Sequence, residues 1–150
     1  MLMRIADSTT PFREDASGDG VGEHITVQFQ IFGVILLVIM SNAPERIAIP
    51  DLEKKLEGKS KPVVIDVRKQ AEIDESGAVP GALHIPVEKV GERVSELPKD
   101  KELAFYCGGG GRASRAAQSA WDAGFRSVSY FGLRDWKKRG LPTSKTAKKF

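Results

Sequence analysis

Cysteine is nearly absent: Cys107 is the only one in 150 residues. The chain therefore closes no internal disulfide, and its one thiol suits a reducing compartment. Histidine is almost as scarce. His24 and His84 lie far apart in the chain, and with no second cysteine they complete no zinc site, so no metal is expected. His84 reads as a partly buried hydrogen-bonding residue. Charge of one sign is also not in excess, with 23 basic and 20 acidic residues giving a net +3. The basic residues gather at the end, at Lys137, Lys138, Arg139, Lys145, Lys148 and Lys149, without interleaved aromatics or a binding motif. That pattern describes a solvated tail and no nucleic-acid partner.

A full-length membrane span is missing as well. The longest apolar stretch, residues 25–40, contains Gln28 and Gln30. As a helix it would reach only about 24 Å, against a hydrocarbon core of roughly 30 Å. Ten uninterrupted apolar residues from Ile31 to Met40 would nevertheless be costly to expose. Two readings stay open for this stretch, a membrane anchor and a buried strand or packing segment. The acidic residues before it and Arg46, Lys54 and Lys55 after it would orient a span with the rest of the chain in the cytoplasm. A cytoplasmic location is expected, with anchoring to the inner face of the cell membrane through residues 25–40 as its variant. Residues 1–23 are polar and turn-rich, and they lack the basic region that precedes the apolar core of a secretory signal.

The lone cysteine has an informative setting. It follows the apolar run Leu103 to Tyr106 and precedes Gly108, Gly109, Gly110, Gly111 and Arg112. Glycines let the backbone turn successive N–H groups toward one point, forming a nest for an anion. The next residues, Arg112 to Ala123, are good helix formers with Gly124 as the stop. Strand, glycine loop and helix in that order place the Cys107 sulfur where amides, helix dipole and the Arg112 guanidinium all favour negative charge. A reactive thiol follows, with Cys107 catalytic and Gly108 to Arg112 holding the substrate.

Elements alternate along the chain. A helix opened by Pro50 runs to Leu56 and stops at Gly58; Val63 to Val67 and Leu83 to Ile85 are strands; Glu88 to Leu97 has helical spacing. A strand at Leu103 to Tyr106, a helix at Ala113 to Ala123, a strand at Val128 to Phe131 and a short helix from Leu133 complete the series. This is an α/β pattern, with a central parallel β-sheet and helices on both faces. Length and composition fit one domain at residues 45–143, an N-terminal extension at 1–44 and a basic tail at 144–150. Asp66 ends its strand at the carboxyl edge, where ligands bind in such sheets. A place beside the loop and a bracing ion pair are both open to it. Arg68 and Glu72, at i and i+4, read as a brace. Trp136 reads either as a wall of the site or as a core residue.

Four segments in order resemble the rhodanese-like domain family. They are VVIDVR (Val63 to Arg68) with Glu72, GAVPGALHIP (Gly77 to Pro86), YCGGGGRAS (Tyr106 to Ser114), and the set Gly132, Trp136, Gly140, Leu141 and Pro142. Ala78, His84, Ala113 and Phe131 depart from the family's pattern. The resemblance implies a rhodanese-like fold and a sulfurtransferase in which the Cys107 thiolate takes sulfur from a small donor of thiosulfate or 3-mercaptopyruvate type. The persulfide then passes its sulfur to cyanide or a thiol. It requires no cofactor. Gly108 and Gly109 stand where thiosulfate-using members carry basic side chains, and here the loop is similar to the neutral loops of mercaptopyruvate-type members. Phosphatase-like relatives use a loop one residue longer. The alternative implied function is a sulfur-relay or regulatory module that receives sulfur from a protein partner. Asp66, Arg68 and Trp136 are carried over as residues supporting the loop.

Overall fold

A computed structural model describes residues 43–150; the N-terminal extension, including the apolar stretch 25–40, lies outside the described residues. The elements in chain order are β1 (Glu45–Arg46), α1 (Ile49–Glu57), β2 (Val63–Asp66), α2 (Gln70–Ser76), β3 (Leu83–His84), α3 (Val90–Arg93), β4 (Leu103–Cys107), α4 (Gly111–Asp122), β5 (Val128–Gly132), α5 (Leu133–Lys138) and β6 (Lys148–Lys149). The six strands form one sheet in the order β1-β5-β4-β2-β3-β6, and every pair is parallel. Among the described residues, no helix is long and apolar enough to cross a membrane.

Strand β4 explains where the core sits. It lies between β2 and β5, and all of its residues are buried. Successive side chains of a strand point to opposite faces. Leu103, Phe105 and Cys107 accordingly pack with the inner face of α4, while Ala104 and Tyr106 pack with Leu52 of α1 and with Leu133 and Trp136 of α5. Helix α4 buries Ala113, Ala116, Ala117 and Ala120, at helical i, i+3, i+4 and i+7 spacing. Small side chains there bring α4 close to the sheet, so its N-terminus reaches the end of β4.

Three details differ from the sequence expectation. Residues 88–97, expected as one helix, form a 3₁₀ turn (Val87–Lys89), the short α3 and a second 3₁₀ turn (Val94–Glu96). The β-branched Val87, Val90 and Val94 and the mid-segment Gly91 all lower helix propensity. Helix α2 was not expected, because only Ile73 of its seven residues is buried and no apolar period marks it. The stretch 144–150, expected as a basic tail, contributes β6, which pairs with β3. Ser144 and Ala78 also exchange two backbone hydrogen bonds at 2.7 Å.

Candidate active site

Cys107 is the last residue of β4 and is only 2 % exposed. The chain then turns through the glycines, and Gly110 takes the left-handed conformation at φ 110° as the N-cap of α4. A side chain at that φ would be strained, so glycine is needed there. The turn brings the Gly110 N–H back to the cysteine, donating to Sγ at 3.1 Å. The Ser114 N–H donates to the Gly110 carbonyl at 2.8 Å, which closes the first turn of α4. The amides ahead of it have no partner within the helix.

Neighbouring strand β5 makes room for this turn. Gly132 pairs in register with Cys107. A Cβ at Gly132 would lie 3.0 Å from the Gly109 carbonyl carbon and 3.1 Å from its oxygen, so the loop would have to shift by a few tenths of an ångström to admit any other residue. The Arg134 N–H donates to the Gly108 carbonyl at 3.2 Å, and Arg46 Nη1 donates to the Gly109 carbonyl at 3.2 Å. The Gly108 and Gly109 carbonyls are thus tied down, and the Gly110 amide is turned to the sulfur.

Arg112 has two partners. Its guanidinium does interact with the Cys107 sulfur, as expected, but it also has a partner the sequence did not suggest: Nη1 and Nη2 donate to the two Glu72 carboxylate oxygens at 2.7 and 2.8 Å. The hydrogen bonds from Arg112 hold the Glu72 carboxyl far below the usual carboxylate range, at about 2. The same pairing raises the Arg112 pKa. Glu72 was expected to brace Arg68. Instead Arg68 reaches only the Glu72 backbone carbonyl, at 3.4 Å, because its guanidinium is already directed at Asp66.

The Asp66–Arg68 pair is sealed. Asp66 is 0 % and Arg68 2 % exposed. Arg68 Nε and Nη2 donate to the Asp66 carboxylate at 2.9 and 2.6 Å, and the other donors reach Ser76 Oγ at 2.7 Å and the Gly77 carbonyl at 2.6 Å. Burial opposes the Arg68 charge, but the Asp66 carboxylate outweighs it and raises the pKa. This pair fastens the end of β2 to the Glu72 carbonyl and to the C-terminal end of α2. Beside it, burial pushes the Tyr106 phenol well above its ordinary range, and its oxygen accepts the Val79 N–H at 2.9 Å. His84 Nε2 lies 2.8 Å from the Arg68 carbonyl oxygen.

Trp136 takes the core alternative. It is 5 % exposed, packs on Phe131 at 6.2 Å between ring centroids, and donates through Nε1 to the Pro142 carbonyl at 2.8 Å. It does not line the cleft beside the loop. That cleft, of 290 Å³, is walled by Glu72, Glu75, Gly108, Leu133, Arg134 and Lys137, with Arg68 and Ser76 contributing. Sequence reasoning missed Arg46 and Arg134, whose nearness to the glycines depends on the return of β1 and α5 beside the loop. Among the described residues, no cluster of three or more His, Cys, Asp or Glu could hold a metal ion.

An all-parallel α/β sheet with a cysteine at the carboxyl end of its central strand, followed by an amide-lined loop and a helix, defines a class of cysteine-loop proteins. The sequence profile of the Rhodanese-like domain family matches residues 49–139, more than half of the chain, and the chain belongs to that family. A sulfurtransferase of Allochromatium vinosum is 32% identical over 93 residues, covering 61% of this chain and 86% of the relative. Human thiosulfate:glutathione sulfurtransferase is 32% identical over 112 residues, covering 65% of this chain and 90% of the relative. Among solved structures, a rhodanese-related protein from Thermoplasma volcanium superimposes with a TM-score of 0.61 at 26% identity, covering 68% of this chain and 99% of the other.

Proposed function

We propose that this protein is an enzyme that moves sulfane sulfur from a small donor to a thiophilic acceptor through a persulfide on Cys107. The observation that carries this reading is the Cys107 sulfur at the base of the glycine loop, receiving the Gly110 N–H at 3.1 Å. The Cys107 thiolate attacks the outer sulfur of the donor. The bond joining that sulfur to the rest of the donor breaks, and its electron pair departs with the leaving group. From thiosulfate this group is sulfite; from 3-mercaptopyruvate it is the enolate of pyruvate, with the donor's thiol proton released. The loop amides then hold the terminal sulfur anion of the persulfide, each hydrogen bond to a charged group contributing about 1.5–3 kcal/mol. Cyanide leaves as thiocyanate, or a thiolate leaves as its persulfide, and the Cys107 thiolate is restored. The human relative, a thiosulfate:glutathione sulfurtransferase, supports a thiol as acceptor.

Intact-mass measurement tests the reading. Wild-type protein incubated with thiosulfate, with 3-mercaptopyruvate or with a persulfidated protein should gain one sulfur atom, and Cys107→Ser should gain none. Loading by the persulfidated protein alone would replace the small donor with a protein partner. No added sulfur from any of the three would overturn both.

A further inference from the structure

The loop brings one cation to the sulfur, Arg112, and its charge is shared with Glu72. Gly108 to Gly111 have no side chains, and Arg112 is joined to Glu72 by two hydrogen bonds. Two other arginines reach over the loop from outside it. A Cβ at Gly109 would collide with Nη2 of Arg134 on α5, and one at Gly110 with Nη1 of Arg46 on β1. The volumes that loop side chains would fill are therefore held by guanidinium groups from other elements.

These two arginines differ in compensation. Arg46 is paired with Asp135 at 2.5 Å. Arg134 joins no carboxylate among the described residues, and its backbone N–H on the Gly108 carbonyl fixes its root against the loop. Lys137, three residues further along α5, lines the same cleft and donates to the neutral Ser76 carbonyl at 2.7 Å. Against these cations, Glu72 is neutralised by Arg112 and only Glu75 brings unpaired negative charge to the cleft. The cleft ends on Gly108, the residue after Cys107.

We propose that Arg134, assisted by Lys137, receives the oxyanion group of the sulfur donor, a sulfonate or a carboxylate, and makes the site select small anionic donors. The inference rests on the sulfurtransferase reading for the donor's identity, but the anion site itself does not. The oxyanion carries its charge in the bound donor as well as in the departing group, so a cation beside it contributes mainly to donor binding. With thiosulfate the Cys107 thiolate gains the outer sulfur, sulfite departs with the bonding pair, and total charge is unchanged.

Alkylation of Cys107 separates the two claims. Iodoacetate carries a carboxylate and iodoacetamide does not, so the ratio of their rates reports anion attraction and cancels any change in thiol ionisation. In Arg134→Gln this ratio should fall about two- to fivefold, the range for a partly exposed charged contact. KM for the anionic donor should rise by a similar factor with a smaller change in kcat. Arg134→Lys should restore part of both, and Lys137→Gln should give the same signs with smaller size. An unchanged ratio in Arg134→Gln, in a wild type that still accepts sulfur, overturns the proposal and leaves the sulfurtransferase reading intact. A reduced ratio in a protein that accepts sulfur from no donor supports the anion site and overturns the sulfurtransferase reading. A rise in KM for thiosulfate alone identifies a sulfonate, and for 3-mercaptopyruvate alone a carboxylate. A rise for neither overturns the assignment of the site to the donor.

Discussion

The Asp66–Arg68 and Glu72–Arg112 pairs meet at one short helix, α2, and share their chemistry but little else. In the first pair both side chains are sealed, at 0 % and 2 % exposure, and every guanidinium nitrogen has a protein acceptor. In the second, the side chains are 37 % and 32 % exposed at the rim of the cleft. Burial makes the first pair part of the framework, since losing either partner strands a charge away from water. Solvent makes the second an adjustable contact of small net stability. Helix α2 links them: Arg68 holds its backbone, and α2 in turn presents Glu72 to Arg112 in the first turn of α4. The position of Arg112 beside Gly108 thus depends on an ion pair that touches no atom of the loop.

The comparison breaks most severely at Arg68. Arg68→Met should destabilise by about 3–5 kcal/mol by leaving Asp66 buried and unpaired. For a domain of this size that lowers Tm by about 10 °C or more, and adding Asp66→Asn should recover part of the loss. A thermal midpoint within two degrees of wild type would show that the pair is not framework. Next comes Arg112→Gln. Its Tm should shift by the equivalent of about 1 kcal/mol or less, while single-turnover loading of sulfur on Cys107 falls ~10-fold as the loop mouth loses its fixed geometry. Equal losses of stability and loading would erase the contrast.

The smallest effect is in acid. The Glu72 carboxyl sits at about 2 in the folded protein, below roughly 4.3 for a free side chain. A depressed value stabilises the fold above the unfolded pKa, and that stabilisation disappears as pH falls from about 4.3 toward 2. Because the pair is a third exposed, the loss is about 1 kcal/mol or less. Glu72→Gln should flatten this step in a urea-melt series between pH 5 and 2.5.

Most of the central sheet could be read from the chain because β2, β4 and β5 are apolar runs bounded by turn formers, and α4 carries alanines at helical spacing. What escaped notice was short or held by backbone. Lys148 and Lys149 carry no alternating pattern, and β6 exists because their amides and carbonyls complete the edge of β3. Helix α2 shows one buried residue and no side-chain cap of the usual type. The cysteine, its glycines and the arginine after them were legible as a motif. The partner of Arg112 was not, since it lies forty residues away and i, i+4 spacing favoured Arg68 for the same glutamate. Arg134 gave no local signal, because its closeness to Gly109 exists only once β5 and α5 have folded back beside the loop.

A loop with four glycines has a consequence for how such a protein changes over generations. Its hydrogen-bond donors are main chain, so substitutions elsewhere cannot delete them one at a time. The cations that crowd it come from β1 and α5, which mutate independently of the loop. On the proposed chemistry, retention of sulfur and choice of donor are therefore separable traits. The proposed donor site could then be retuned at position 134 while the loop stays as it is.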